Sequence, residues 1–200
     1  MRFLAYTGLR CGELAGLNIG DVKLRHVHVH RTRAKTTGGW QVDLPKTQGS
    51  DREVPLPGWL ATDLAAYLAT HPRRHDPDAP LWPGRHRYPD LRTRGLLNWD
   101  EPWERGVFAK AVFKPALARA GLAVTVRLHD LRHTYISILA SKGVPAYRIA
   151  KYAGHADVHT TLAIYTHLFK TDEAADMELL TRTPTAASQR KAAGTVLQLT

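Results

Sequence analysis

Cysteine is nearly absent from this sequence: Cys11 is the single one among 200 residues. No intrachain disulfide can form. That excludes the stapled scaffolds typical of small secreted domains and makes a reducing cytoplasm the expected compartment. Long apolar runs are missing as well. No stretch approaches the roughly 20 apolar residues that a membrane span requires, so no membrane partner is expected. The opening Met1-Arg2-Phe3-Leu4-Ala5-Tyr6 turns polar too soon to read as a secretory signal. Acidic residues are scarce, with 18 Asp and Glu against 28 Lys and Arg, for a net charge of +10 at pH 7. Such an excess points to a polyanionic partner, nucleic acid being the commonest, although a solvated basic surface would look the same by composition. What is present is ordinary for a globular protein: 44% hydrophobic and 23% charged residues, enough for one domain with its own core.

Periodicity gives a mixed architecture. Residues 1–17 read as one helix with Phe3, Leu4, Leu14 and Leu17 on an apolar face, interrupted by Gly8, Gly12 and Gly16. Residues 24–33 set Val27 and Val29 against His26, His28 and His30, the alternation of a half-buried strand. Two further strands, at 40–44 and 52–56, follow turn signals at Gly38-Gly39 and Gln48-Gly49-Ser50-Asp51. Residues 59–68 read as a helix, and 71–99, rich in Pro, Arg, Gly and His, as a long loop. Helices follow at 107–120, with Pro115 marking a kink or a nearby boundary, at 131–142, at 146–153, at 158–167 behind a capping Asp157, and at 171–181. The expected fold is α+β, mostly α, with a small three-stranded antiparallel sheet beside a helical core. Residues 1–181 would form the domain, and 182–200 a flexible tail or one packed on a neighbour.

Four islands concentrate chemistry: Thr7-Gly8-Leu9-Arg10-Cys11-Gly12-Glu13-Leu14, Pro45-Lys46-Thr47, His129-Asp130-Leu131-Arg132-His133-Thr134, and Gly154-His155 followed by Tyr165. Arg10 and Glu13 sit three apart, so on one helix face a carboxylate can fix a guanidinium fork. His129 and Arg132 open a helix, where free N–H groups, an imidazole and a guanidinium together suit a phosphate. His129 could instead merely cap that helix, and His133 is expected to support its start. Metal ligation by His129 and His133 lacks the glutamate of the HExxH pattern and any cysteine nearby. The His26, His28, His30 row reads as the polar face of a strand. A tyrosine can be the nucleophile in phosphoryl transfer if fixed cations hold and neutralise the phosphate. A phenol has a pKa of about 10, so local positive charge or a base must help it ionise.

The order Arg, Lys, His-x-x-Arg, His, Tyr, with these flanks, resembles the tyrosine recombinase (phage integrase) family. TGLRCGEL resembles the family's first-arginine box, KTQGSDREVPLP its lysine-bearing β-hairpin, HDLRHTYIS its second box and GHADVHTTLAIYTH its terminal box. The resemblance implies the tyrosine-recombinase catalytic fold and a site-specific DNA recombinase or integrase without metal, ATP or other cofactor. Arg10 and Arg132 would grip the non-bridging oxygens of the scissile phosphate. Lys46 would protonate the departing 5′ oxygen; Lys35, in the same β region, is its competitor, and the flanking residues favour Lys46. His129 and His155 would bond the phosphate or assist proton transfer, Tyr165 would form the 3′-phosphotyrosyl link, and Glu13 would orient Arg10. The partners implied are double-stranded DNA and a homotetramer assembled on it. Family members carry an α-helical clamp, the core-binding domain, ahead of the first arginine box. Only nine residues precede Arg10 here, so a truncated N-terminus is expected. The alternative function is a catalytically impaired DNA-binding remnant. A type IB topoisomerase would share the chemistry, but the boxes around Arg132 and Tyr165 resemble integrases more closely.

Overall fold

The computed structural model describes residues 1–44, 51–86 and 95–165, apart from the side chain of Ile164. All belong to Met1–Phe169, the first of two units into which the chain divides. Lys46, the stretch 87–94, the helix expected at 171–181 and the tail from 182 lie outside the described residues. Among the described residues no helix is long and apolar enough to cross a membrane.

The expected first helix is two. Helix α1 (Arg2–Thr7) stops at Gly8, whose backbone is left-handed with φ 64°, and α2 (Cys11–Gly16) restarts after Arg10. Only glycine takes that conformation cheaply. Gly8 also has no room for a side chain: a Cβ there would lie 2.2 Å from the Tyr135 ring. The break makes Arg10 the residue that precedes a helix, with Glu13 in that helix's first turn.

The β region is also divided differently from expectation. Strands β1 (His26–Val29) and β2 (Thr32–Thr36) replace the single run at 24–33, followed by β3 (Gly39–Asp43) and β4 (Arg52–Pro55). Among the described residues these form two antiparallel ladders, β1 with β4 and β2 with β3, rather than one three-stranded sheet. The first run breaks because His30 and Arg31 turn away to Asp21. The His30 ring lies 2.9 Å from that carboxylate, and Arg31 donates to it at 2.9 Å and to the Gly16 carbonyl at 3.1 Å. Val27 pairs with Val54 and His28 with Glu53, so Arg52 and Val54 face inward together. The long loop carries a hairpin of its own, β5 (Pro83–Arg85) against β6 (Leu97–Pro102).

Helix α3 (Gly58–Ala69) follows the strands. The helix at 107–120 contains a π turn at Ala109–Phe113, between α4 (Arg105–Phe108) and α5 (Lys114–Arg119). Pro115 falls in the first turn of α5, where its missing N–H costs least. Helices α6 (Asp130–Ser141), α7 (Ala146–Ala153) and α8 (Val158–Tyr165) complete the described fold. Asp157 caps α8 by accepting the His159 N–H at 2.9 Å.

Two apolar clusters result. The larger joins Leu4, Leu14, Leu17, Val27, Val54, Leu60, Leu64 and Phe113. The smaller joins Tyr135, Ile136, Ala140, Ile149, Ala153 and Tyr165 of α6, α7 and α8. Each large aliphatic side chain fully withdrawn from water contributes roughly 1.5–3 kcal/mol. Helix α1 packs on α6 and β4 packs on α7, so the two clusters meet where the chemistry-bearing residues stand.

Candidate active site

Glu13 is the organising charge. Its carboxylate accepts the Arg10 backbone N–H at 2.8 Å and Arg10 Nη1 at 3.1 Å. It also takes a two-pronged bond from Arg52, with Nη1 and Nη2 each at 2.9 Å. Glu13 and Arg52 have side chains only 3% exposed. Burial pushes the Glu13 carboxyl up, but the bonds and charge of Arg52, then those of Arg10, outweigh it and hold the group below its usual range. Arg52 also donates from Nε to the Tyr152 carbonyl at 2.9 Å, tying α2, β4 and α7 together.

Arg10 is the exposed cation above this pair, its side chain 44% accessible. Its second terminal nitrogen donates to the Gly154 carbonyl at 3.1 Å. Gly154 closes α7 in the left-handed region, φ 69°, and the His155 N–H bonds back to the Ala150 carbonyl at 3.0 Å. That closed turn aims His155 toward the arginines. A Cβ on Gly154 would lie 2.6 Å from the Arg52 guanidinium carbon, so this glycine is what lets Arg52 pass.

Arg132 comes from the first turn of α6 and is 3% exposed. Nη1 donates to the Gly8 carbonyl at 2.7 Å, so the break after α1 holds the arginine in place. Nη2 is buried and has no hydrogen-bond partner among the described residues. A buried charged donor left unbonded costs on the order of 1–3 kcal/mol, which an incoming anion would recover. Burial, then the charge of Arg10, lowers Arg132 to about 10, still protonated at neutral pH.

His155 packs Nδ1 against the buried Thr161 hydroxyl at 2.8 Å. Burial, and then the fields of Arg132, Arg10 and Arg52, lower it to about 4, so the imidazole is neutral near pH 7. His129 precedes α6, exposed, with its ring edge-on to His133 at 5.1 Å. Burial and then the charges of His133 and Arg132 lower its pKa. Tyr165 ends the described part of α8 and is 4% exposed. Its hydroxyl is hydrogen-bonded to Nδ1 of His133. Burial raises the phenol, and the Arg132 charge opposes that rise.

The structure therefore brings Arg10, Glu13, Arg132, His155 and Tyr165 together, with His129 at the rim. Lys46 lies outside the described residues. Its competitor Lys35 is occupied elsewhere, over the Trp40 ring and 3.8 Å from Glu101. Two further residues belong to the site. Arg52 was readable, because strand alternation puts it in phase with the inward Val54 and Leu56. His133 was expected to support the helix start, yet it touches the tyrosine oxygen; i,i+4 spacing from His129 gave no sign of a partner on another helix. The His26, His28, His30 row meets carboxylates: Glu53 at 3.1 Å, Asp51 at 2.7 Å and Asp21 at 2.9 Å. A polar cleft of about 860 Å³ leads from His155 and Arg52 past His28, Arg25 and Lys151. A separate apolar pocket of about 240 Å³ between α1, β6 and α4 contains none of the site residues.

The model of the phage integrase family matches residues 1–172. This chain belongs to that family. Among curated relatives, the ICEBs1 integrase of Bacillus subtilis (strain 168) is 28% identical over 181 residues, 85% of this chain and 45% of that protein. Tyrosine recombinase XerD of Brucella suis biovar 1 is 32% identical over 166 residues, 82% of this chain and 45% of that protein. The chain thus spans a little under half the length of these relatives. Among solved structures, the Tn1549 transposon integrase in complex with circular intermediate DNA superposes with a TM-score of 0.62 at 25% identity, over 90% of this chain and 57% of that one. The catalytic domain of bacteriophage HP1 integrase shares the fold, with a TM-score of 0.51 at 18% identity over 94% of this chain and 82% of that one. The tyrosine-recombinase catalytic fold expected from the four boxes is the fold observed.

Proposed function

We propose that this chain carries out site-specific cleavage and rejoining of double-stranded DNA through a 3′-phosphotyrosyl intermediate on Tyr165. The observation that carries this reading is Arg132: a buried guanidinium whose Nη2 has no partner among the described residues, beside Arg10, His155 and a buried phenol. Two guanidinium forks suit the two non-bridging oxygens of one phosphodiester. Holding that phosphate in line with the phenol oxygen and neutralising its charge supplies most of what phosphoryl transfer needs. Neutral His155 adds a hydrogen bond, and His129 at the rim adds another. Lys46 delivers the proton to the departing 5′ oxygen. The covalent link keeps the phosphodiester energy, so a 5′ hydroxyl can reverse the step without ATP. The flanking DNA backbone runs along the cleft beside His155, where Arg25 and Lys151 stand with Asp51 and Glu53, four protomers assemble on two sites, and the reaction takes place in the cytoplasm, where the DNA is.

A nicked suicide duplex tests this. Cleavage releases the short 5′-hydroxyl strand and traps the protein on DNA. The expected result is an adduct stable to denaturant, formed in EDTA and absent from Tyr165→Phe. No adduct, with salt-sensitive binding retained, would instead mark a DNA-binding remnant.

A further inference from the structure

The resting phenol has a specific neighbour. Tyr165 on α8 is bonded through its hydroxyl to Nδ1 of His133 on α6, with ring centroids 6.1 Å apart. The tyrosine is nearly closed to solvent. Water is therefore poorly placed to take its proton, and burial makes that proton harder to lose. An attacking phenol must shed it as the bond to phosphorus forms, because the aryl phosphodiester product carries none.

We propose that His133 is the proton acceptor for Tyr165 during cleavage and the proton donor to it during rejoining. This rests on the phosphotyrosyl reading above. His133 starts neutral with its hydrogen on Nε2, and Tyr165 donates its O–H to the Nδ1 lone pair. In cleavage the O–H bond breaks, the proton passes to Nδ1, and the phenol oxygen bonds to phosphorus. The bond from phosphorus to the 5′ oxygen breaks, and its electron pair leaves on that oxygen, which takes a proton from the general acid. In rejoining the 5′ hydroxyl returns its proton to the deprotonated general acid as its oxygen bonds to phosphorus, the bond from phosphorus to the aryl oxygen breaks, and Nδ1–H returns the proton to the aryl oxygen.

The surroundings bear on the charge that His133 acquires. From its own helix it is faced by His129, Asp130 and Arg132, from the α7–α8 turn by His155, and from α8 by Tyr165. Asp130 is the carboxylate in this set, and it is also bound to Arg127 at 2.9 Å. Arg132 is the fixed cation of the set, and an anionic phosphate seated against it offsets its charge as the proton moves. Proton transfer is thereby coupled to substrate binding. His129, at the rim, is left free to contact the phosphate.

The test is single-turnover cleavage of suicide DNA by the wild-type protein and by His133→Asn, His133→Gln and His133→Ala. Asparagine and glutamine can keep a hydrogen bond to the phenol but cannot take its proton. The expected loss is roughly 10²–10⁴-fold, the range for general acid–base catalysis, with undiminished DNA binding. The acid-side limb of the wild-type rate profile should vanish in His133→Asn, and added imidazole should partly restore His133→Ala. A duplex with sulfur at the bridging 5′ position has a leaving group that needs no proton. It should restore Lys46→Ala and leave the His133 variants slow. Wild-type rate and pH profile in His133→Asn would overturn the proposal alone, as would full rescue of that variant by the sulfur substrate. A wild-type protein that forms no Tyr165 adduct would overturn the recombinase reading and this proposal together. Should His133→Ala not fold, the Asn and Gln variants and the pH profiles still decide.

Discussion

Replacing Glu13 by Gln keeps the shape of the side chain and removes its charge. Two guanidinium groups are then affected unequally. Arg10 is half-exposed and can turn to water, whereas Arg52 is 3% exposed and loses a two-pronged partner without gaining solvent. Removing one member of a buried ion pair costs about 3–5 kcal/mol, mainly through the charge left behind. For a chain of this size each kcal/mol moves the melting temperature by about 2–4 °C, so the fall should be roughly 6–20 °C. Thermal and urea unfolding of Glu13→Gln, Arg52→Met and the double variant measure it. Because each single change strands the other partner, the double variant should cost less than the sum of the two. The pH dependence has a definite sign. The folded carboxyl titrates below its unfolded value of 4.5, so its contribution is complete above that value and lost as pH falls through the lower, folded one. The acid limb of stability should flatten in Glu13→Gln. A cost under about 1 kcal/mol, typical of surface pairs, or strict additivity in the cycle would refute the view that this pair locks α2, β4 and α7.

Gly154→Ala should destabilise by at least the ~1–2 kcal/mol of a left-handed non-glycine backbone, and more because Arg52 must move; unchanged unfolding would contradict the close approach. NMR titration of His155 should give a pKa near 4 in the free protein, rising when a phosphate-bearing duplex binds, since a nearby anion favours the imidazolium; an ordinary value near 6.5 without DNA would contradict both its burial and its nearness to the arginines. Arg132→Ala should slow suicide cleavage by roughly 10²–10³-fold, the loss typical of removing one preorganised donor. Lys23→Ala, at an exposed amine bonded to the Gly20 carbonyl, should leave the rate unchanged. Equal effects would remove Arg132 from the phosphate site.

Much of the fold was legible because local signals and packing agree. The alternation of Val27 and Val29, and the ends of α5 and α6 just before Gly121 and Gly143, reflect burial and capping within a few residues. Most of the failures turn on contacts that a local pattern does not show. The apolar spacing across residues 1–17 is consistent with one helix, but the Tyr135 ring occupies the space beside Gly8 and the Arg132 guanidinium claims its carbonyl. The strand at 24–33 splits because Asp21 draws His30 and Arg31 aside. The hairpin at Pro83–Arg85 has too little period-2 alternation to announce itself. In the site, the motif residues were identifiable because chemistry demands their type and order. Arg52 was legible only as an inward strand position and not as the partner of Glu13, 39 positions away, and the bond from His133 to Tyr165, 32 positions away on another helix, left no local sign.

The proposed reaction turns on one covalent bond, between a DNA 3′ phosphate and the Tyr165 oxygen. Protein trapped on a suicide duplex, digested with protease and nuclease, can be mapped by mass spectrometry. The structure predicts a nucleotide on the peptide containing Tyr165 and on no other. A nucleotide on Tyr135, Tyr147, Tyr152 or any non-tyrosine residue, or strand cleavage with no nucleotide attached, would contradict it.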